Sequence, residues 1–285
     1  MVNYKKKLRL DKMEPFLLKD TEYFTIQSWC KDHPHLAAGF TTKNGGTSIG
    51  HHKGLNMAYH VNDSKEKVTA NRQIVANKLD FPLTNWVGSE QTHKNSIWEV
   101  STIDAGKGAC DYESALPDTD GLFTRDEGIL LTLCYADCVP LYFIHSKTKA
   151  IGIAHAGWQG TVQGIAVEMV KVFQSHGIDP SEMEVAIGPS ITDKQYIVDS
   201  RVIDKVNEAL EESDDKPYKL VSPNQYSLSL QQLNKQLLIK AGIQDSKIQV
   251  TSLCTSEEES YFFSHRRDKG KTGRMMSFIG WREDV

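Results

Sequence analysis

The sequence predicts one interleaved α/β or α+β domain. Strand-like apolar runs at Leu36–Thr41, Ile129–Leu133, Val139–Ile144, Ala150–Ala154, Glu184–Gly188 and Met275–Trp281 are interspersed with helical stripes. No internal repeat, low-complexity tract or composition break divides the 285 residues. A hydrophobic fraction of 39% and a charged fraction of 25% are those of an ordinary globular chain.

Taken in order, residues before Cys30 carry Phe16, Leu17, Tyr23, Phe24, Ile26 and Trp29 without a clean period, so they are assigned no element. The strand at Leu36–Thr41 enters Thr42-Lys43-Asn44-Gly45-Gly46-Thr47-Ser48, where Asn-Gly-Gly marks a turn because glycine accepts positive φ. This is a surface turn or a backbone loop that approaches a ligand. Asp63 with Glu66 resembles a capping box, and Val68, Arg72, Val75 and Leu79 follow at helical spacing, predicting a helix over about 63–79. Asn85–Gly88 and Ile97–Val100 read as strand-like, with Gln91-Thr92-His93 between them. Residues 101–120 form a long polar loop, of a length that is usually functional or mobile.

The stretch Gly128–Gly160 holds three apolar runs separated by an Asp137-Cys138 turn and a short polar turn, with His155 at the end of the third run. Val162, Ile165, Ala166, Met169, Val170 and Phe173 predict a helix ending near His176-Gly177, with His155 on the turn that feeds its N-terminus, where free N–H groups favour an anion. Further helices are expected at about 200–212 and about 227–241, with a solvated loop over Glu211–Lys219. After a strand-like Ile248–Cys254, the segment bearing Arg266, Arg267 and Arg274 reads as a hairpin with Lys269 and Lys271 in its turn.

A formal net charge of -4 offers no global basic field, which excludes nucleic acid as the expected partner. Lys5, Lys6, Lys7 and Arg9 are followed by no apolar signal region, and no apolar run reaches the roughly 18 residues of a membrane span. Five scattered cysteines, an odd number, suit a reducing compartment. The expectation is a cytoplasmic protein with no membrane partner.

The chemistry-bearing candidates are His93, Cys138 and His155, each where a turn meets a strand. Three such ligands with one open position is the layout of a catalytic metal site, although the spacing alone leaves a structural His93 and a Cys-His reaction centre open. Cys134, directly after an apolar run, reads as a small buried hydrophobe. Asp137 is the candidate for proton transfer or for orienting a ligand. Clustered Arg266, Arg267 and Arg274 could recognise phosphate, or form solvated surface.

In chain order, TTKNGGTS, QTH, TDGLFT, ADCVPLYF, HAGWQGT, IGPSI and FFSHRRDKGKTGRM resemble the motifs of the laccase-domain family of YlmD/YfiH-like proteins, over about residues 36–281. That family, formerly labelled polyphenol oxidase, is understood as purine nucleoside phosphorylases. The resemblance implies an α+β single domain over 1–285, a mixed β-sandwich core flanked by helices, with 1–35 as an N-terminal extension. It implies a metal, usually zinc, on His93, Cys138 and His155. It also implies a purine nucleoside and inorganic phosphate as substrates, with adenosine deamination as a second activity. Asn44, Arg266, Arg267 and Arg274 are the phosphate or substrate residues this reading selects, and Cys138, His155 and Asp137 the catalytic ones. A homodimer stays open.

The chain departs from the family pattern at Lys94 after His93 and at Gln159 after Trp158, where relatives often carry arginine. That loss shifts phosphate binding toward Arg266, Arg267 or Arg274. Ser190 stands where relatives often carry cysteine, which argues against a fourth thiolate. Three rival readings are weighed beside a zinc phosphorylase. A copper oxidase would suit two His and one Cys, but the only H-x-H pair is His33-Pro34-His35, outside the motifs. A metal-free hydrolase would use Cys138 as nucleophile, and a binding protein would hold a closed structural metal with four ligands.

Overall fold

A computed structural model describes residues 14–283; the basic stretch Lys5–Arg9 lies outside them. Two six-stranded sheets stack on each other. The first runs from edge to edge through Phe16–Asp20, Tyr23–Ile26, Leu36–Thr41, Met275–Trp281, Leu130–Tyr135 and Trp86–Gly88. The second runs through Ile248–Val250, Glu184–Ile187, Val139–His145, Ala150–Ala156, Gly121–Thr124 and Ile97–Glu99. Most neighbours are antiparallel, but Trp86–Gly88 pairs parallel to Leu130–Tyr135, and both outer pairings of the second sheet are parallel. The fold is therefore α+β, a mixed sandwich with helices outside it.

The alternation of side chains builds three layers. Along Val139–His145 every residue is buried, with Tyr142 and Ile144 facing the first sheet and Leu141 and Phe143 facing outward. A strand covered on both faces reads as the continuous apolar run seen in the sequence. The inner layer joins Phe40, Leu131, Tyr135 and Ile279 of the first sheet to Tyr142, Ile151 and Ile153 of the second. The helices Ile165–Ser175, Ser200–Glu208 and Leu230–Lys240 pack on the outer face of the second sheet through Met169, Phe173, Val206 and Leu233. The helix Lys65–Leu79 covers the first sheet through Val75, Ala76 and Leu79 against Trp86 and Phe278.

Several expectations are corrected. The unassigned opening segment forms two paired strands and the helix Gln27–Asp32, so residues before 36 supply one edge of the first sheet. The predicted capping box is absent: Ser64 caps the helix by accepting from the Lys67 N–H, while Asp63 accepts from Ser48 and Asn56. The stripe from Val162 to Phe173 is two helices, Trp158–Val162 and Ile165–Ser175, broken because Gly164 adopts φ +85. His155 lies inside the strand Ala150–Ala156, which leads into the short helix and not the longer one. The expected helix from 227 begins at Leu230, because Gln225–Leu228 pairs with Tyr218–Ser222 across a turn with Asn224 at φ +59. That hairpin and Ile197–Val198 form a third, small sheet, which replaces part of the loop assigned to Glu211–Lys219.

The arginine segment is not a hairpin. It is a compact turn wound around Asp268, whose carboxylate accepts from the Ser264 N–H, the Thr272 hydroxyl and the Arg267 guanidinium. Among the described residues no helix is long and apolar enough to cross a membrane.

Candidate active site and metal centre

Two neighbouring strands of the second sheet set the first two site residues side by side. Val139–His145 pairs with Ala150–Ala156 in a register that puts Pro140 opposite His155, so Cys138, just before the strand, ends beside the imidazole. The third residue comes from the turn beyond Trp86–Gly88, where His93 holds φ +63. One ligand atom from each of His93, Cys138 and His155 lies within 4.8 Å of the others. The two imidazoles meet edge to face with centroids 4.8 Å apart.

Asp120, fully buried, ties these pieces together. Its Oδ1 accepts from His155 Nδ1 at 2.8 Å and from the His93 N–H at 3.1 Å. Its Oδ2 accepts from the N–H groups of Thr92 and Lys94, both at 2.9 Å. Its backbone carbonyl accepts from the His155 N–H at 2.7 Å. One carboxylate thus shapes the His93 turn and fixes the His155 ring, leaving Nε2 as the ligating atom. Asp120 lies within the TDGLFT motif, and an acid just before the buried strand Gly121–Thr124 is the local signal of its role.

Cys138 and His155 shift each other's titration in opposite directions. Burial pushes the Cys138 thiol up, but the charge of His155 and hydrogen bonds from His155 and His93 outweigh it and hold the thiol at about 6. Burial pushes His155 down, while Cys138 and Asp120 raise it to about 9. A thiolate and two imidazoles gathered at this separation form a donor set suited to zinc or a similar first-row divalent cation. Gly157 leaves room for it: a Cβ there would sit 3.1 Å from both Cys138 Sγ and His93 Cδ2.

The cluster floors a cavity of about 480 Å³. Trp158, Ile191, Tyr196 and Leu230 give it an apolar wall, and Arg266 and Arg274 give it a cationic one. Arg266 stacks over the Tyr196 ring at 5.1 Å and donates to the Ile197 carbonyl at 2.9 Å. Arg274 donates to the carbonyls of Thr272 and Gly273, each at 3.0 Å. Tyr196, Trp158 and Leu230 were not singled out as site residues, because aromatic and leucine positions in a helical or loop pattern carry no chemical signature of their own.

The remaining predicted residues divide. Asp137, at φ +82, lines the cavity, but its oxygens accept from the Thr255 hydroxyl, the Ser264 hydroxyl and the Arg266 N–H, so its carboxylate anchors the arginine segment. Arg267 and Asn44 lie outside this cavity, on a separate groove. The Arg267 guanidinium is bound to Asp268 and to the Thr255 and Phe262 carbonyls, and Asn44 donates to the Ser260 carbonyl. Ser190 is buried and forms a short parallel β-bridge with Cys254. Cys134 borders the cavity and is half-buried rather than fully buried, packing against the outer layer of the first sheet.

Fold and site together define a helix-flanked β-sandwich with a His-Cys-His cluster at the base of a cavity. The chain belongs to the family described as multi-copper polyphenol oxidoreductase laccase, whose model matches residues 37–282. It is 44% identical over 273 residues to a Bacillus subtilis protein named purine nucleoside phosphorylase YlmD, covering 94% of this chain and 98% of that one. A protein of the same name from Geobacillus stearothermophilus is 48% identical over 248 residues, covering 87% and 90%. The crystal structure of YlmD from Geobacillus stearothermophilus superimposes with a TM-score of 0.92 at 44% identity, covering 95% of this chain and 100% of that one.

Proposed function

We propose that this chain is a zinc-dependent purine nucleoside phosphorylase acting on adenosine, inosine or methylthioadenosine. The observation that carries the reading is the juxtaposition in one cavity of the His93-Cys138-His155 cluster, two guanidinium groups and an aromatic wall. The names of its relatives support the same reaction.

In this reading Arg266 and Arg274 hold inorganic phosphate as a nucleophile, since guanidinium groups match phosphate oxygens in geometry and charge. Tyr196, Trp158 and Leu230 pack against the purine and orient the sugar. A phosphate oxygen forms a bond to the ribose anomeric carbon as the bond to the base nitrogen breaks, and the bonding electrons leave with the purine. Zinc, when bound by His93, Cys138 and His155, supplies Lewis-acid stabilisation of developing negative charge. Asp120 orients His155 and the His93 turn, and Asp137 holds the backbone of Arg266 in place, so both are positioning residues. Proximity of the two substrates in a preformed cavity supplies much of the acceleration.

The cluster also favours adenosine deamination as a second activity, since zinc sites built from His and Cys support attack on purine C6. Ammonia release from adenosine with phosphate omitted tests that extension. A copper oxidase fits less well: among the described residues a single three-residue ligand group is present, and the His33 ring packs instead against Trp281. Five unpaired cysteines support a reducing, cytoplasmic setting.

The test is to incubate the purified protein with inosine or adenosine, with and without phosphate, and to quantify free base and ribose 1-phosphate. Stoichiometric appearance of both only with phosphate is expected. Base release indifferent to phosphate would overturn the reading.

A further inference from the structure

The segment 264–274 has two sides. Arg266 and Arg274 face the cavity above the metal-type cluster, whereas Lys269 and Lys271 line a second groove, of about 1110 Å³, closed on its other side by the loop 43–54. Lys43 and Lys53 project from that loop. Of the two acids at the groove, Asp268 is already neutralised by Arg267 at 2.8 and 2.9 Å, which leaves Glu259. A chain of net charge -4 thus concentrates positive charge in one concave place. Among the described residues, the ammonium groups of Lys43, Lys53, Lys269 and Lys271 make no salt bridge.

The loop contributes a second, independent feature. The N–H groups of Gly45 and Gly46 find no acceptor among the described residues, and Gly45 stands at φ +81. Consecutive free amides around a left-handed residue are the backbone arrangement that cradles phosphate oxygens. Gly46 cannot be replaced without disturbing this loop, because a Cβ there would lie 2.3 Å from the Gly54 carbonyl oxygen. The loop is held against the chain just ahead of the 264–274 segment by the Lys43 N–H on the Tyr261 carbonyl at 2.7 Å and by Asn44 Nδ2 on the Ser260 carbonyl at 2.9 Å, so lysines of both segments line one groove.

We propose that this groove binds a polyphosphate chain, the di- or triphosphate of a nucleotide, at a site separate from the cavity proposed for phosphorolysis. A chain of two or three phosphates offers more anionic oxygens than a single phosphate to share among Lys43, the Gly45-Gly46 amides, Lys269 and Lys271. The proposal does not depend on the phosphorylase reading, because the two cavities use different residues.

The experiment is calorimetric titration of the full chain, at low salt, with a nucleoside triphosphate, inorganic tripolyphosphate and inorganic phosphate. The triphosphates are expected to bind at least about 10-fold more tightly than phosphate at this site. A Lys269→Gln/Lys271→Gln variant and a Lys43→Gln variant should each weaken triphosphate binding by about 10-fold or more, with unchanged melting temperature, while Arg274→Gln should not affect it. Equal affinity for tripolyphosphate and nucleotide would show that the phosphate chain alone is read; tighter nucleotide binding would show that the nucleoside adds contacts. Absence of triphosphate binding would overturn the proposal, as would binding that Arg274→Gln abolishes and the lysine variants leave intact.

Discussion

Replacing Asp120 by asparagine tests how the metal-type cluster is assembled. The carboxylate accepts four close hydrogen bonds, two per oxygen, from His155 Nδ1, the His93 N–H, and the N–H groups of Thr92 and Lys94. Asparagine keeps one acceptor oxygen and turns the other into an NH2 donor. If the NH2 takes the Oδ1 position, it opposes His155 Nδ1 and the His93 amide; if it takes the Oδ2 position, it opposes the Thr92 and Lys94 amides. Two hydrogen bonds are lost either way, and both outcomes loosen the turn that carries His93. Buried unsatisfied donors cost about 1–3 kcal/mol each, though such costs do not add simply. Loss of an orienting partner typically costs about 10–100-fold in metal affinity, or about 1.4–2.7 kcal/mol. The assay is zinc competition against a chelating dye, paired with thermal unfolding in excess chelator, which reads the fold without metal. The expected result is weaker zinc binding beyond any loss of apo stability. Wild-type zinc affinity in Asp120→Asn would refute the claim that Asp120 organises the cluster.

Other substitutions probe the remaining parts. Arg274→Gln removes a charge-assisted contact worth about 1.5–3 kcal/mol, so the KM for phosphate should rise about 10–100-fold while zinc content stays constant, as steady-state kinetics and metal analysis would show. Tyr196→Ala deletes part of the apolar wall and the ring under Arg266, and should raise the nucleoside KM by about 10-fold or more. Gly157→Ala places a methyl group 3.1 Å from Cys138 Sγ and His93 Cδ2 at a backbone of φ -65 that any residue adopts. It should therefore weaken zinc binding in the dye assay while the melting point of the apo protein barely moves.

What was legible in the sequence follows from what local pattern encodes. Val139–His145 and Ala150–Ala156 announced themselves as apolar runs, because strands covered on both faces have no polar residues to interrupt them. His93, Cys138 and His155 were selected by residue type and position, and the structure gathers them. Their convergence is set by register between strands distant in sequence, which no local spacing contains. Asp120 was overlooked for the same reason: its meaning lies in donors from residues 92–94 and 155. The arginine segment was read as a hairpin because basic residues flank a Gly/Lys turn, but the interactions of Asp268 wind it into one compact turn. That winding separates Arg267 from Arg266 and Arg274, which sequence adjacency could not distinguish. The hairpin Tyr218–Leu228 was hidden by charge and by the leucine-rich helix just after it.

The central claim is that the His93-Cys138-His155 cluster holds the metal that supports phosphorolysis. It is tested most directly by measuring zinc content and phosphate-dependent ribose 1-phosphate formation side by side in the wild-type protein and in Cys138→Ala. About one zinc per chain with phosphorolysis in the former, and loss of both in the latter, is the predicted result. Full zinc content with undiminished phosphorolysis in Cys138→Ala would contradict it.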